Sequence, residues 1–188
     1  FLLSKSDRYF YDQNAVKEPD QESGERNMRS VWTIKTKPYA GAHFAAFPEK
    51  LVEPCIMAGT SQAGCCSECG KPYQRIIEKQ GITAHDGTTD SAYEKKSTSG
   101  RLALLRQAAR ERGEEYSNKA TTLGWQPDCS CNAKAVPCVV IDPFGGSGTV
   151  GAVAERLGRN SILIELNPDY VKLAEQRTAQ TGLLLEGA

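Results

Sequence analysis

The chain has 188 residues, 39% of them hydrophobic and 24% charged, which supports a folded core and excludes wholesale disorder. Its 23 Lys and Arg balance 23 Asp and Glu, so it is not basic throughout, although a local basic patch is still allowed. No apolar run nears the roughly 20 residues of a bilayer span, and no basic-then-apolar leader opens the chain, so a cytoplasmic protein is expected.

In chain order, Phe1 to Asp12 (FLLSKSDRYFYD) predicts a strand, a break at Lys5–Arg8 and a second short strand at Tyr9–Tyr11. The apolar opening Phe1-Leu2-Leu3, without an initiator Met, reads as mid-strand and predicts a piece of something longer. Asn14 to Ser30 is polar and aperiodic, a predicted loop, and Val31–Ile34 is a predicted strand. Pro48 stands at a first helical position. From there Leu51, Val52, Cys55 and Ile56 follow helical spacing to about Gly59, with Pro54 a potential kink.

From Gly64 to Lys134 the texture changes. A segment rich in Gly, Ser, Thr and Asp (81–99) is expected to be mobile, and Arg101–Arg112 (RLALLRQAARER) is helical by composition. Between Lys71 and Lys119 stand ten Lys/Arg and seven Asp/Glu, a local charge of +3. The last part is the most regular. A buried strand at Cys138–Ile141 leads through a glycine turn into a helix from Thr149 to Leu157, stopped at Gly158. A second strand, Ser161–Ile164, precedes Asn167-Pro168-Asp169, which supplies an N-cap, a first-turn proline and a first-turn acid. That helix is expected to end near Gln180, before Gly182. Strand, turn, helix, strand, helix is half of a doubly wound α/β domain.

Seven cysteines stand at 55, 65, 66, 69, 129, 131 and 138. The odd count and the lack of a secretory leader disfavour a disulfide framework. Cys66-x-x-Cys69 and Cys129-x-Cys131 are two close pairs, able to place four thiolates around one tetrahedral Zn²⁺. Cys65 is a possible substitute ligand, while Cys138 and Cys55 are expected in the core.

The glycine turn reads Asp142-Pro143-Phe144-Gly145-Gly146-Ser147-Gly148-Thr149. Its glycines allow positive φ and close backbone approach, and the next helix offers free N–H groups. Glu165 ends the following strand 19 residues after Gly146, where an acid binds ribose hydroxyls. Together these imply a nucleoside cofactor. Gly146-x-Gly148-x-x-Gly151 also fits a dinucleotide fingerprint, so NAD competes. Two features lower NAD: Asp142 would face a pyrophosphate unfavourably, and only 23 residues follow Glu165.

Asp142–Thr149 resembles the S-adenosylmethionine-binding motif of DNA amino-methyltransferases, which methylate the exocyclic nitrogen of adenine or cytosine. Ile164-Glu165-Leu166-Asn167-Pro168-Asp169-Tyr170 is similar to their acidic strand end and helix. His43-Phe44-Ala45-Ala46-Phe47-Pro48-Glu49-Lys50-Leu51 resembles the cofactor segment that precedes the glycine motif in the permuted, β-type order, and Phe1–Asp12 resembles the end of the catalytic lobe. The resemblance implies an α/β fold, a partial Rossmann-like class I methyltransferase sheet with a small zinc-ribbon-like insertion. Three regions follow from it: residues 1–63, ending the catalytic lobe and carrying the first cofactor segment; residues 64–134, the insert; and residues 135–188, the cofactor-binding βαβα unit.

By that likeness S-adenosylmethionine is the cofactor. The backbone of Gly145, Gly146, Ser147, Gly148 and Thr149 would hold its methionine moiety, beside Asp142, Pro143 and Phe144. Glu165, with Asn167 beside it, would take the ribose hydroxyls, and His43, Phe44, Ala45 and Phe47 would line the other side. Cys66, Cys69, Cys129 and Cys131 would hold a structural Zn²⁺. Double-stranded DNA is the implied partner, with Arg26, Arg29, Arg101, Arg106, Arg110 and Arg112 as phosphate contacts. Trp32 and Trp125 are expected to pack rather than stack on bases. The family's Pro-Pro-aromatic catalytic motif does not occur in these residues. In the permuted order it would lie upstream, so these residues alone are expected not to turn over. Two further functions compete: a zinc-ribbon nucleic-acid-binding module on an inactive α/β scaffold, and a nucleotide-dependent oxidoreductase.

Overall fold

The computed structural model describes residues 4, 7–21, 24–35, 47–79, 107, 111–113 and 120–185. A 3-10 turn at Gln13–Val16 is followed by an antiparallel hairpin, β1 (Glu18–Asp20) and β2 (Gly24–Arg26). Helix α1 covers Glu49–Gly59. Short β3 (Cys65–Cys66) pairs antiparallel with β6 (Ala135–Val136), and β4 (Gln74–Lys79) pairs with β5 (Ala120–Gln126). The chain closes with β7 (Val139–Asp142), α2 (Thr149–Arg156), β8 (Asn160–Leu163) and α3 (Pro168–Leu185).

The chain divides into two compact units. The larger joins residues 1–16, 29–76 and 124–188, and so holds the cysteine loops, helices α1, α2 and α3 and the β7–β8 pair. The smaller joins residues 17–28 and 77–123. Among the described residues, no helix is long and apolar enough to cross a membrane.

Helical spacing makes the core of the larger unit. Val52 and Ile56 stand four residues apart, on one face of α1, and meet Val153 and Ala154 of α2. Val140, Val150 and Leu157 close around them. Val153 and Ala154 are fully buried. Removing a side chain of this size from water is worth about 1.5–3 kcal/mol for valine. Pro54 lies inside α1 without breaking it.

The α/β half follows the expected order. Strands β7 and β8 are parallel, with Ile141 opposite Ile162, and α2 connects them. Gly158, at φ 72°, ends α2. Asn167 caps α3, its side-chain oxygen accepting from the Asp169 N–H at 2.9 Å, with Pro168 in the first helical position.

Several expectations are corrected. Tyr9–Tyr11 and Val31–Ile34 form no strand; Tyr9, Tyr11 and Val31 are exposed. Aromatic and β-branched residues favour a strand only where a neighbouring strand accepts the ladder, and none pairs with them among the described residues. The predicted loop at Asn14–Ser30 instead holds the 3-10 turn and the hairpin. Charge pairs stabilise that hairpin: Arg26 meets Glu18 and Asp20 at 3.3 Å each, and Lys17 meets Glu25 at 3.5 Å. Apolar periodicity cannot detect such an element.

The Cys138–Ile141 strand exists one residue later, but only half of it is covered. Val140 faces the helices, while Val139 is 51% and Ile141 63% exposed. Helices cover one face of the pair, so alternate residues are left outside. Cys55 is exposed, on the outer side of α1, whereas Cys138 is buried. Helix α3 passes Gly182 to reach Leu185, since an isolated glycine weakens a helix by only about 1 kcal/mol. Of the predicted helix Arg101–Arg112, residues 107 and 111 are helical. Gln107 donates to Glu111 at 3.0 Å, Arg112 stands in a turn, and residues 101–106 and 108–110 lie outside the described residues.

Candidate cofactor and metal sites

Because β7 and β8 run parallel, Asp142 and Leu163 end side by side. The glycine turn starts there. The Ile164 N–H donates to the Asp142 carbonyl at 2.9 Å, and the Gly145 N–H to the Ile164 carbonyl at 2.8 Å. The Phe144 N–H donates to the Asp142 carboxylate at 3.0 Å, so Asp142 organises the turn. Gly148 then reverses the chain at φ 79°. A Cβ there would lie 2.8 Å from the Ala174 Cα, so the tight approach of turn to α3 requires glycine.

Glu165 is the hinge of this arrangement. One carboxylate oxygen accepts the Gly146 N–H at 2.8 Å and the other the Asn167 N–H at 2.9 Å. A carboxylate at the end of β8 therefore stands across from the turn that follows β7. Among the described residues no side-chain cap hydrogen bond is made at Gly148, the N-cap of α2, and the first-turn N–H groups of a helix can receive an anionic ligand. Ser147 and Thr149 are buried, while Phe144 is 86% and Leu166 97% exposed. A groove of about 540 Å³ opens beside the turn, bounded by Gly145, Gly146 and Glu165 at one end and by Ser161, Val171 and Thr178 further along. That volume suits a nucleoside-sized ligand.

The structure thus brings together Asp142 through Thr149, Glu165 and Asn167. Phe47, just before α1, is partly exposed. His43, Phe44 and Ala45 lie outside the described residues.

Sixty residues of chain separate Cys69 from Cys129, yet the sulfurs of Cys66, Cys69, Cys129 and Cys131 all lie within 4.8 Å of one another. A local turn presents the first pair, with the Gly70 N–H on the Cys66 carbonyl at 2.9 Å. The long-range bond from the Ser67 N–H to the Lys134 carbonyl at 3.0 Å ties that turn to the chain after the second pair. The backbone N–H groups of Cys69 and Glu68 lower the Cys66 thiol to about 7. The Cys69 and Cys129 thiols push Cys131 up to about 12. Four sulfurs this close cannot all ionise without a cation among them. Burial raises Cys65, with Cys138 adding to the effect; Cys65 is outside the foursome.

The arginines are scattered in role. Arg26 is engaged by Glu18 and Asp20 within its own hairpin. The Arg29 carbonyl accepts from the Trp32 indole at 2.6 Å. Arg112 is exposed, and Arg101, Arg106 and Arg110 lie outside the described residues. Trp125 packs under Arg75, whose guanidinium carbon lies 4.3 Å from the ring centre. Arg75 also pairs with buried Asp12 at 2.8 Å.

Sequence reasoning missed one set of polar contacts beside the turn. Glu49, the first residue of α1, accepts from Arg156 at 2.6 Å and from Arg177 at 2.8 Å. Arg177 also donates to the Thr149 hydroxyl at 2.9 Å. The partners are 107 and 128 residues from Glu49, so no local spacing carries a signal.

The sequence is similar to known proteins. Residues 137–176, which contain the glycine turn and Glu165, match the DNA methylase family model. Over 94% of its length the chain is 32% identical to the Type II methyltransferase M.Cfr9I of Citrobacter freundii and to M.XycI of Xanthomonas campestris pv. cyanopsidis. It is 28% identical, over the same share, to M.SmaI of Serratia marcescens. The chain spans about a third of the length of these relatives (34%, 34% and 36%).

Proposed function

We infer that this chain, which belongs by sequence to the DNA amino-methyltransferases, is the cofactor-binding segment of an enzyme that methylates the exocyclic nitrogen of cytosine or adenine in duplex DNA. The observation that carries this reading is Glu165 bound to the Gly146 amide. It joins an acidic strand end to a glycine turn, as a nucleoside ligand requires, and both lie within the matched residues 137–176.

When bound, S-adenosylmethionine supplies a sulfonium methyl for transfer to a base nitrogen flipped out of the duplex. The residues here do the holding. A carboxylate offers about four acceptor sites, so Glu165 at the end of β8 suits a pair of ribose hydroxyls. The turn amides and the α2 N-terminus receive the cofactor's carboxylate end, and Asp142 favours its cationic ammonium. Fixing the methyl donor in one pose sets the attack geometry. The Pro-Pro-aromatic motif is absent from these residues, so binding rather than turnover is the decisive readout.

The four-cysteine cluster supports a structural Zn²⁺. Bonds of about 2.3 Å in a tetrahedron put sulfurs roughly 3.8 Å apart, inside the 4.8 Å limit observed. Cys66, Cys69, Cys129 and Cys131 would hold it, closing the long loop between the pairs. For DNA contact, Arg29, Arg101, Arg106, Arg110 and Arg112 remain the proposed phosphate ligands, with Arg26 too, if its carboxylate partners release it.

Calorimetry with S-adenosylmethionine and NAD tests the cofactor. Binding of the first and none of the second is expected; NAD binding alone would overturn the reading in favour of an oxidoreductase.

A further inference from the structure

We infer that Arg177 is a positioning residue for the cofactor site, holding the two segments that flank it to one cation; this rests on the reading of the glycine turn as that site. The guanidinium donates to Thr149 Oγ1 at 2.9 Å from one nitrogen and to Glu49 Oε1 at 2.8 Å from the other. Thr149 opens α2 directly after Gly148 and is buried. Glu49 opens α1 directly after Phe47-Pro48, inside the His43–Leu51 stretch that resembles the other cofactor segment. Arg177 projects from α3, the helix against which Gly148 makes its closest approach. One planar fork therefore fixes the starts of two helices against a third.

The chemistry favours arginine at this place. Its two nitrogens meet partners of different kinds, a neutral hydroxyl and a carboxylate, in one rigid plane, which an ammonium on a flexible stem cannot reproduce. Glu49 is held from its other oxygen by Arg156 at 2.6 Å, so both carboxylate oxygens are fixed by guanidinium groups. The Arg177 side chain is 19% exposed, and water competes weakly for these bonds. If Thr149 loses its partner, the first turn of α2 loses its tie to α3. The amides that face the ligand then sample more than one arrangement, and binding bears the cost of reordering them.

The test is equilibrium binding of S-adenosylhomocysteine to the full chain, with thermal unfolding of each variant measured in parallel. Wild type must bind; if it does not, the cofactor reading itself fails. Given wild-type binding, Arg177→Met and Thr149→Val are each expected to weaken affinity by roughly tenfold at temperatures where both remain folded. Thr149→Ser keeps the hydroxyl and should restore affinity to within about twofold. In the double variant the two losses should not add, because both act through one contact. Unchanged affinity in folded Thr149→Val, or equal affinity in the Ser and Val variants, would overturn the inference. Should Arg177→Met unfold, the Thr149 pair alone decides the matter.

Discussion

At the scale of single residues, the site depends on backbone that only certain side chains permit. Gly148 combines φ 79° with a missing Cβ that would stand 2.8 Å from the Ala174 Cα and 2.9 Å from its Cβ. Both neighbours belong to a helix, so neither yields cheaply. Gly148→Ala is expected to cost about 2–4 kcal/mol, strain and overpacking combined. Denaturant unfolding should show it as a lower midpoint, and an unchanged midpoint would mean that turn and helix separate easily. Cys131, pushed up to about 12, stays protonated at neutral pH without a cation, whereas Cys66 is near 7. The difference follows from donors: Cys66 has backbone amides at its sulfur, and Cys131 has other thiols.

At the scale of elements, an apolar seam joins α1 to α2, and one carboxylate ties both to α3. Val52, Ile56, Val153 and Ala154 provide the seam. Glu49 provides the polar tie, and hydrogen bonding from Arg156 holds its carboxyl below the ordinary value, with Arg177 acting in the same direction. A lowered pKa means that the folded state favours the ionised form. The contribution is therefore present above the unfolded value of about 4.3 and is lost as pH falls through the folded one. Unfolding measured against pH should show wild type more stable than Glu49→Gln near neutrality, with the gap closing below about pH 4. A gap that persists in acid would assign the stabilisation to packing instead. The hairpin β1–β2 offers a contrast, since its charge pairs are part-exposed and worth little individually.

At the scale of the whole molecule, the proposed metal closes a loop that the hydrophobic core does not. Cysteine pairs sixty residues apart meet through the β4–β5 ladder and through strands of only two residues each, β3 and β6. Such strands hold little by themselves, and metal binding to thiolates supplies folding energy directly. Protein purified without chelator is expected to carry about one zinc per chain. Chelation should expose four titratable thiols and lower the unfolding temperature. Absence of metal with freely titrating thiols would reject the site.

Much of the functional region was legible in the sequence because its signals are local. Turn glycines, an N-cap, a first-turn proline and an acid after a short strand lie within 28 consecutive residues, 142–169. Their conformations follow from φ preferences and hydrogen-bonding capacity, which a residue carries with it. The four cysteines were legible for a similar reason, thiols at ligand spacing. The hairpin at Glu18–Arg26 was not, because charge pairs across a turn leave no apolar period. Val31–Ile34 misled, since strand composition without a partner strand makes no strand.

The balance of 23 basic and 23 acidic residues, with which the chain is first met, acquires a different sense in the fold. By sequence alone it sums a +3 middle segment against acidic ends. The structure shows that many of those charges are spent internally: Asp12 on Arg75, Glu49 on Arg156 and Arg177, Arg26 on its hairpin acids. Local sequence suffices for the glycine turn, the acidic strand end and the spacing of each cysteine pair, all properties of near neighbours. Long-range packing decides which strand faces are covered, that the cysteine pairs converge, and that one arginine joins three helices. Those depend on contacts between residues far apart in the chain, which packing selects and no local pattern encodes.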